Sequence, residues 1–246
     1  MGGNPRERSR RAQEHTEARP VSEPEVERGP ILRAAVGIGL YAGAFATAYG
    51  AVAVGSGLTV GQAMVLSLVL FTGASQFAFA GVIAAGGNPL SAVAAALLLG
   101  VRNAFYGVPM SQILEPRGAR RLWTAHFVID ETTAMAVGQP TRPAQRYAFW
   151  TTGVILFVCW QAGSLAGAVL GSAIDPAAFG LDAAAPAVFL ALLWPSLRQR
   201  SGQVVALAGA ALALALVPFA PPGVPVLAAA AVALVAGLRS EPEAAG

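Results

Sequence analysis

Lysine is missing from this 246-residue chain, whose 16 basic residues are all arginines. That excludes a P-loop nucleotide site, which needs a lysine to reach the phosphates. Cysteine occurs once, at Cys159, so no internal disulfide can form and no compartment can be read from it. Histidine occurs only at His15 and His126, which leaves no cluster for a metal site, and no motif calls for a cofactor. Charge of either sign is scarce: 12% of residues carry one, against about 25% in a soluble domain. What fills the chain instead is apolar, 55% of residues with a mean hydropathy of +0.59. The expected class is therefore all-α, a polytopic helical bundle in a membrane.

Seven of the arginines fall in the first 33 residues. A basic leader on a hydrophobic chain is read first as a cytoplasmic segment obeying the positive-inside rule, not as a nucleic-acid arm. Residues 1–30 lack the apolar core of a secretory signal and are expected to be a disordered cytoplasmic tail, with a transmembrane domain over 31–239 and a short tail at 240–246. Apolar runs follow at about 31–54, 60–85, 91–114, 122–138, 147–173, 185–197, 203–217 and 224–238. A spanning helix needs roughly 20 residues, and the last three runs are short of that.

If every run crossed once, the loop carrying Arg117, Arg120 and Arg121 would lie opposite the basic N-terminus, against the positive-inside rule. Suppose instead that 60–85 and 122–138 each enter and leave on one side. Then the tail, Arg117–Arg121, Arg142, Arg146, Arg198, Arg200 and Arg239 share the cytoplasmic side, and the loops with Asp175 and Asp182 and with Pro218–Pro225 lie outside. Two opposed broken or re-entrant segments are how inverted-repeat transporters build a midplane site. The small residues Gly73-Ala-Ser-Gln76 are where the first is expected to unwind. Gly39-xxx-Gly43 and Gly163-xxx-Gly167-xxx-Gly171 read as close helix–helix contacts.

Within these runs a few polar residues stand out, each costing roughly 2.5–3.5 kcal/mol if charged at the bilayer centre. Ser75 and Gln76 sit beside the expected break, where freed backbone groups can take the two ends of a zwitterion, or they simply bridge helices. Arg102 and Tyr106 are four apart and share a helix face with Asn103 nearby; Arg102 either grips a carboxylate of the substrate or neutralises one of the pair Asp130–Glu131. Adjacent carboxylates at low dielectric resist double ionisation, so that pair is the candidate proton carrier; the bland alternative is a helix-terminal acid satisfied by Arg102. His126 extends a relay or is an ordinary core histidine. An intramembrane protease dyad of Ser75 and His126 lacks any sequence link between the two. These residues favour a transporter; a channel or scaffold whose buried charges only set helix register is the alternative.

Phe71-Thr-Gly-Ala-Ser-Gln-Phe77, Arg102-Asn-Ala-Phe-Tyr-Gly107, Asp130-Glu-Thr132, Trp160 with the glycine-spaced helix after it, and Gly180-Leu-Asp182 leading to Pro186-Ala-Val-Phe189 and Pro195 occur in this order. Over about residues 31–200 the chain thereby resembles the AzlC-type branched-chain amino acid permease family. The resemblance implies the large subunit of a two-component exporter in the cytoplasmic membrane, working with a small AzlD-type membrane protein on branched-chain or related apolar amino acids. It carries over Ser75, Gln76, Arg102, Tyr106, Asp130 and Glu131. Many members place a histidine after the motif arginine, where this chain has Asn103, which weakens any histidine-based proton role here. With no ATP site, energy must come from an ion or substrate gradient, and proton antiport through Asp130/Glu131 is expected. Phe71, Phe77, Phe79 and Phe105 are the expected apolar wall.

Overall fold

A computed structural model describes residues 26–173, 190, 193–194, 196–220 and 224–239. The terminal tails, the Asp175/Asp182 loop and most of the run at 185–197 lie outside the described residues. Those described are helical almost throughout: α1 (Arg28–Gly55), α2 (Val60–Val69), α3 (Gly73–Ala84), α4 (Pro89–Leu114), α5 (Arg120–His126), α6 (Asp130–Val137), α7 (Arg142–Ala173), a 3-10 turn (Ser196–Arg198), α8 (Arg200–Leu216) and α9 (Val224–Arg239). No strand occurs among them. Three helices are long and apolar enough to cross a membrane: α1, α4 and α7, of 28, 26 and 32 residues. At 1.5 Å per residue even the shortest reaches about 39 Å, more than the hydrocarbon core of about 30 Å.

The core of the bundle is a parallel pair, α1 against α7. Ile31 packs on Ala144 and Ala148 at one end, and Gly171 meets Ala51 at the other. Between them the backbones touch. A Cβ on Gly43 would stand 2.9 Å from the Cys159 carbonyl oxygen, and one on Gly163 or Gly167 would run into the carbonyls of Gly43 or Thr47. The two glycine-spaced motifs thus face each other across one seam, the close approach that small residues permit.

The runs at 60–85 and 122–138 are both broken. Thr59 opens α2 with a reciprocal capping box to Gln62. The helix ends at Val69, and the chain turns through Leu70-Phe71-Thr72, with Thr72 fully extended, before α3 begins at Gly73. The expected unwinding at Gly73–Gln76 is therefore displaced: those four residues form the first turn of α3, and the exposed backbone lies just before them. The physical reason is the local geometry of Thr72, whose extended backbone takes the N-cap place and lets the helix restart at once.

Both broken runs return to the end they came from. Leu58, Gly61 and Val65 at the start of the first line one apolar cleft of about 610 Å³ together with Phe79, Ile83 and Pro89 at its finish. For the second, Glu115 before α5 pairs with Arg142 (2.7 Å) and Arg146 (3.4 Å) after α6. Arg146 also donates to the Ile113 carbonyl at 2.8 Å, and the Arg28 guanidinium lies 5.4 Å above the Tyr147 ring. Arg28, Arg142 and Arg146 therefore gather at one end of the bundle with the Arg117–Arg121 turn, while Gly57 and Asn88 lie at the other. The chain runs as a full-length helix followed by a broken hairpin, twice, in opposite directions.

Candidate functional site

The two hairpin tips meet at a pocket of about 300 Å³. Its lining comes from α1 (Tyr41, Ala42, Phe45), the first tip (Phe71 to Ala74), Arg102 on α4, the second tip (Ile129, Asp130, Glu131) and α7 (Leu156, Trp160). Arg102 is the fourteenth residue of a 26-residue helix, so the pocket sits near the middle of the span.

Each tip delivers a helix N-terminus, where the first N–H groups lack intrahelical partners and the macrodipole favours negative charge. The two ends are furnished differently. α6 carries its own acids, Asp130 and Glu131, in the first turn. The first turn of α3 holds no acid, and the Thr72 side chain makes no capping bond. One N-terminus is thus already neutralised by protein and the other is open to an anion from outside.

The second tip is locked by Thr132, which is fully buried. Its hydroxyl donates to the Phe127 carbonyl at 2.6 Å and accepts from the Ile129 N–H at 3.1 Å. That spans the break and aims the acids. Asp130 Oδ2 then pairs with Arg102 at 3.0 Å, and the two side chains keep 39% and 45% of their surface accessible. The other oxygen, Asp130 Oδ1, is buried, and the Tyr106 hydroxyl lies against the same carboxylate. Glu131 has no ion pair among the described residues and lines the same pocket.

The residues singled out from sequence do not all reach this pocket. Arg102, Asp130 and Glu131 line it; Ser75, Gln76, Asn103 and Tyr106 do not. Ser75 and Gln76 are fully buried behind the first tip, Ser75 Oγ facing the backbone of Gly100 on α4. No hydrogen bond forms at Ser75 Oγ or at Asn103 Oδ1, and the Gln76 amide faces the Tyr49 hydroxyl. Tyr106 packs on the cluster of Met110, Val128 and Phe149 beside the second tip. Of the expected apolar wall only Phe71 lines the pocket: Phe77 is core, Phe79 belongs to the other cleft, and Phe105 points outward at 70% exposure. His126 packs among Phe71, Phe127 and Phe157 in tilted and edge-to-face contacts, 5.6–6.0 Å between ring centres, and does not line the pocket.

A family profile described as "AzlC protein" matches residues 37–174, more than half of the chain and every element that lines the pocket. The chain belongs to the AzlC family. It is 23% identical over 170 residues to the branched-chain amino acid transport protein AzlC of Bacillus subtilis, covering 68% of this chain and 67% of that one. It is 28% identical over 177 residues to the inner membrane protein YgaZ of Escherichia coli, covering 67% and 72%. An uncharacterized membrane protein of Helicobacter pylori is 25% identical over 154 residues, covering 62% and 68%. No solved structure matches. This AzlC-family chain is a membrane transport protein. Its pocket holds Tyr41, Phe45 and Leu156, which motif reading passed over, and Thr72 and Trp160, which stand in the motifs without having been assigned to the site. Helical spacing on α1 offered one signal, since Tyr41 and Phe45 are four apart and share a face.

Proposed function

We propose that this chain exports branched-chain or related apolar amino acids across the cytoplasmic membrane, as the large subunit of a pair with a small AzlD-type membrane protein. The observation that carries the reading is the asymmetry of the two helix ends at one pocket. A zwitterion needs a site for each charge and an apolar wall for its side chain. The substrate carboxylate fits the unneutralised N-terminus of α3, on the N–H groups of Gly73 and Ala74 with the Thr72 hydroxyl beside them. The ammonium fits the Asp130 carboxylate, which lines the pocket beside Arg102. Phe45, Phe71, Ile129 and Leu156 face the remaining space.

Arg102 matches the charge of Asp130, which leaves Glu131 as the carboxylate without a cation of its own. In our reading Glu131 exchanges the proton that drives export, and Asp130 hands its charge between Arg102 and the substrate ammonium. Ser75, Gln76, Asn103 and Tyr106 support the tips from behind rather than touch substrate.

Efflux of leucine, isoleucine, valine and methionine from dipeptide-loaded cells, with and without the small partner, tests this. Efflux is expected only with both proteins, and Arg102→Ala should cut it at least tenfold with the protein still in the membrane. A scaffold would instead lose assembly on the same change. Glu131→Gln should abolish the pH dependence of efflux; intact pH dependence in Glu131→Gln and in Asp130→Asn would defeat the proton mechanism.

A further inference from the structure

We propose that Trp160 is the gauge of the pocket: its indole, seated where Gly73 has no side chain, sets the longest apolar side chain the site accepts. This rests on the amino-acid reading above and adds to it the residue pair that fixes size.

Gly73 opens α3, so a carboxylate held on that helix end brings the substrate's α-carbon beside it. The far edge of Trp160 lies against the same residue, where a side chain on Gly73 would be. A Cβ built on Gly73 would stand 2.8 Å from Trp160 Cη2 and 3.4 Å from Cζ2. The 2.8 Å contact is too short for both atoms to stay in place, and the partner here is a rigid ring.

The ring is also braced. Trp160 is 6% exposed, stacks on Tyr49 with centres 6.4 Å apart and planes at 24°, and meets Phe45 at 6.3 Å. Tyr49 is itself tied to α2, its hydroxyl donating to the Ala63 carbonyl at 2.9 Å. The indole Nε1 has no hydrogen-bond partner, so packing alone sets where the six-membered edge lies. At about 300 Å³ the pocket is at the small end of ligand sites, and retracting its bounding ring is the direct way to lengthen it.

Phenylalanine at 160 keeps a ring on the Tyr49 and Phe45 side but lacks the atoms that meet Gly73. Trp160→Phe is therefore expected to raise efflux of phenylalanine relative to valine about tenfold, the scale on which a few buried carbons are discriminated. Gly73→Ala should lower efflux of every substrate about tenfold or more. The pair Gly73→Ala with Trp160→Phe should recover to within about threefold of Trp160→Phe alone, because the second change removes the atoms the new methyl strikes. Rates are read in dipeptide-loaded cells that also carry the small partner, at matched membrane levels, alongside binding of leucine and phenylalanine to the purified pair. If Trp160→Phe scales all substrates equally, or fails to rescue Gly73→Ala, the gauge is wrong while the amino-acid reading stands. If the wild-type chain together with its small partner neither moves nor binds any of these amino acids, the substrate reading falls and the gauge with it.

Discussion

Thr132 holds the second tip by satisfying two backbone groups on either side of the break, the Phe127 carbonyl and the Ile129 N–H, from one buried hydroxyl. Valine has nearly the same shape and neither hydrogen-bonding function. Thr132→Val should cost about 1–3 kcal/mol by stranding buried polar groups, read as a lower melting temperature in detergent, and should reduce transport further by releasing Asp130 and Glu131. Thr132→Ser should keep both. A valine variant that melts with the wild type would show that the break is held by something else. At this scale the charges were legible in sequence, because a lone arginine and an acid pair in apolar runs have few ways to be tolerated other than by meeting. The supporting threonine was visible only as part of a motif, since its role depends on a backbone break that side-chain chemistry does not announce. Trp160 and Gly73 were harder still: their contact crosses from one tip to a different helix, and no local pattern encodes it.

Among elements, the seam of α1 and α7 places the whole site, since the pocket takes wall residues from both. Its tightness comes from glycine facing backbone, so a single methyl is a steric fault rather than a propensity change. Gly163→Ala drives a Cβ into the Gly43 carbonyl and should cost about 1–3 kcal/mol, the range for overpacking a filled interior. Gly37→Ala, on the same α1 helix with nothing within 4 Å of its Cβ, should be neutral or stabilise by up to about 1 kcal/mol. Thermal unfolding of both in one detergent checks the contrast, and equal melting of the two would show that the seam relaxes freely. That these glycines make close helix–helix contacts was readable from their spacing, though not that the two motifs face each other. The extent of α7 was not: it starts at Arg142, before its apolar run, because Arg142 and Arg146 are fastened to Glu115 and so can begin a helix at the membrane edge. The first break was misplaced by a few residues for a related reason. Small polar residues mark where a helix can be approached closely, and here Gly73 to Gln76 are approached closely while remaining helical.

Over the whole molecule, the arrangement of arginines and the arrangement of hairpins are one constraint. A long helix reverses the side of the chain, and a re-entrant hairpin does not. Arg117–Arg121 and Arg142 can therefore share a side with Arg28 only if both broken runs turn back, and the Glu115 pairs with Arg142 and Arg146 close that circuit in space. This much of the topology followed from counting charges, while the meeting of the two tips did not, because it depends on how deep each hairpin reaches. The consequence is sharp. In a Cys159→Ser background, single cysteines at Ala119 and Pro140, which flank the second hairpin, should react with an impermeant thiol reagent from the same face of the membrane. A cysteine at Ala85, at the exit of the first hairpin, should react only from the opposite face. By the positive-inside rule the face shared by Ala119 and Pro140 should be the cytoplasmic one. If Ala119 and Pro140 were labelled from opposite faces, the second run would have to cross the membrane. Asp130 and Glu131 would then no longer sit on a tip facing α3, and the pocket that brings a free helix end together with an acid pair would lose its structural basis.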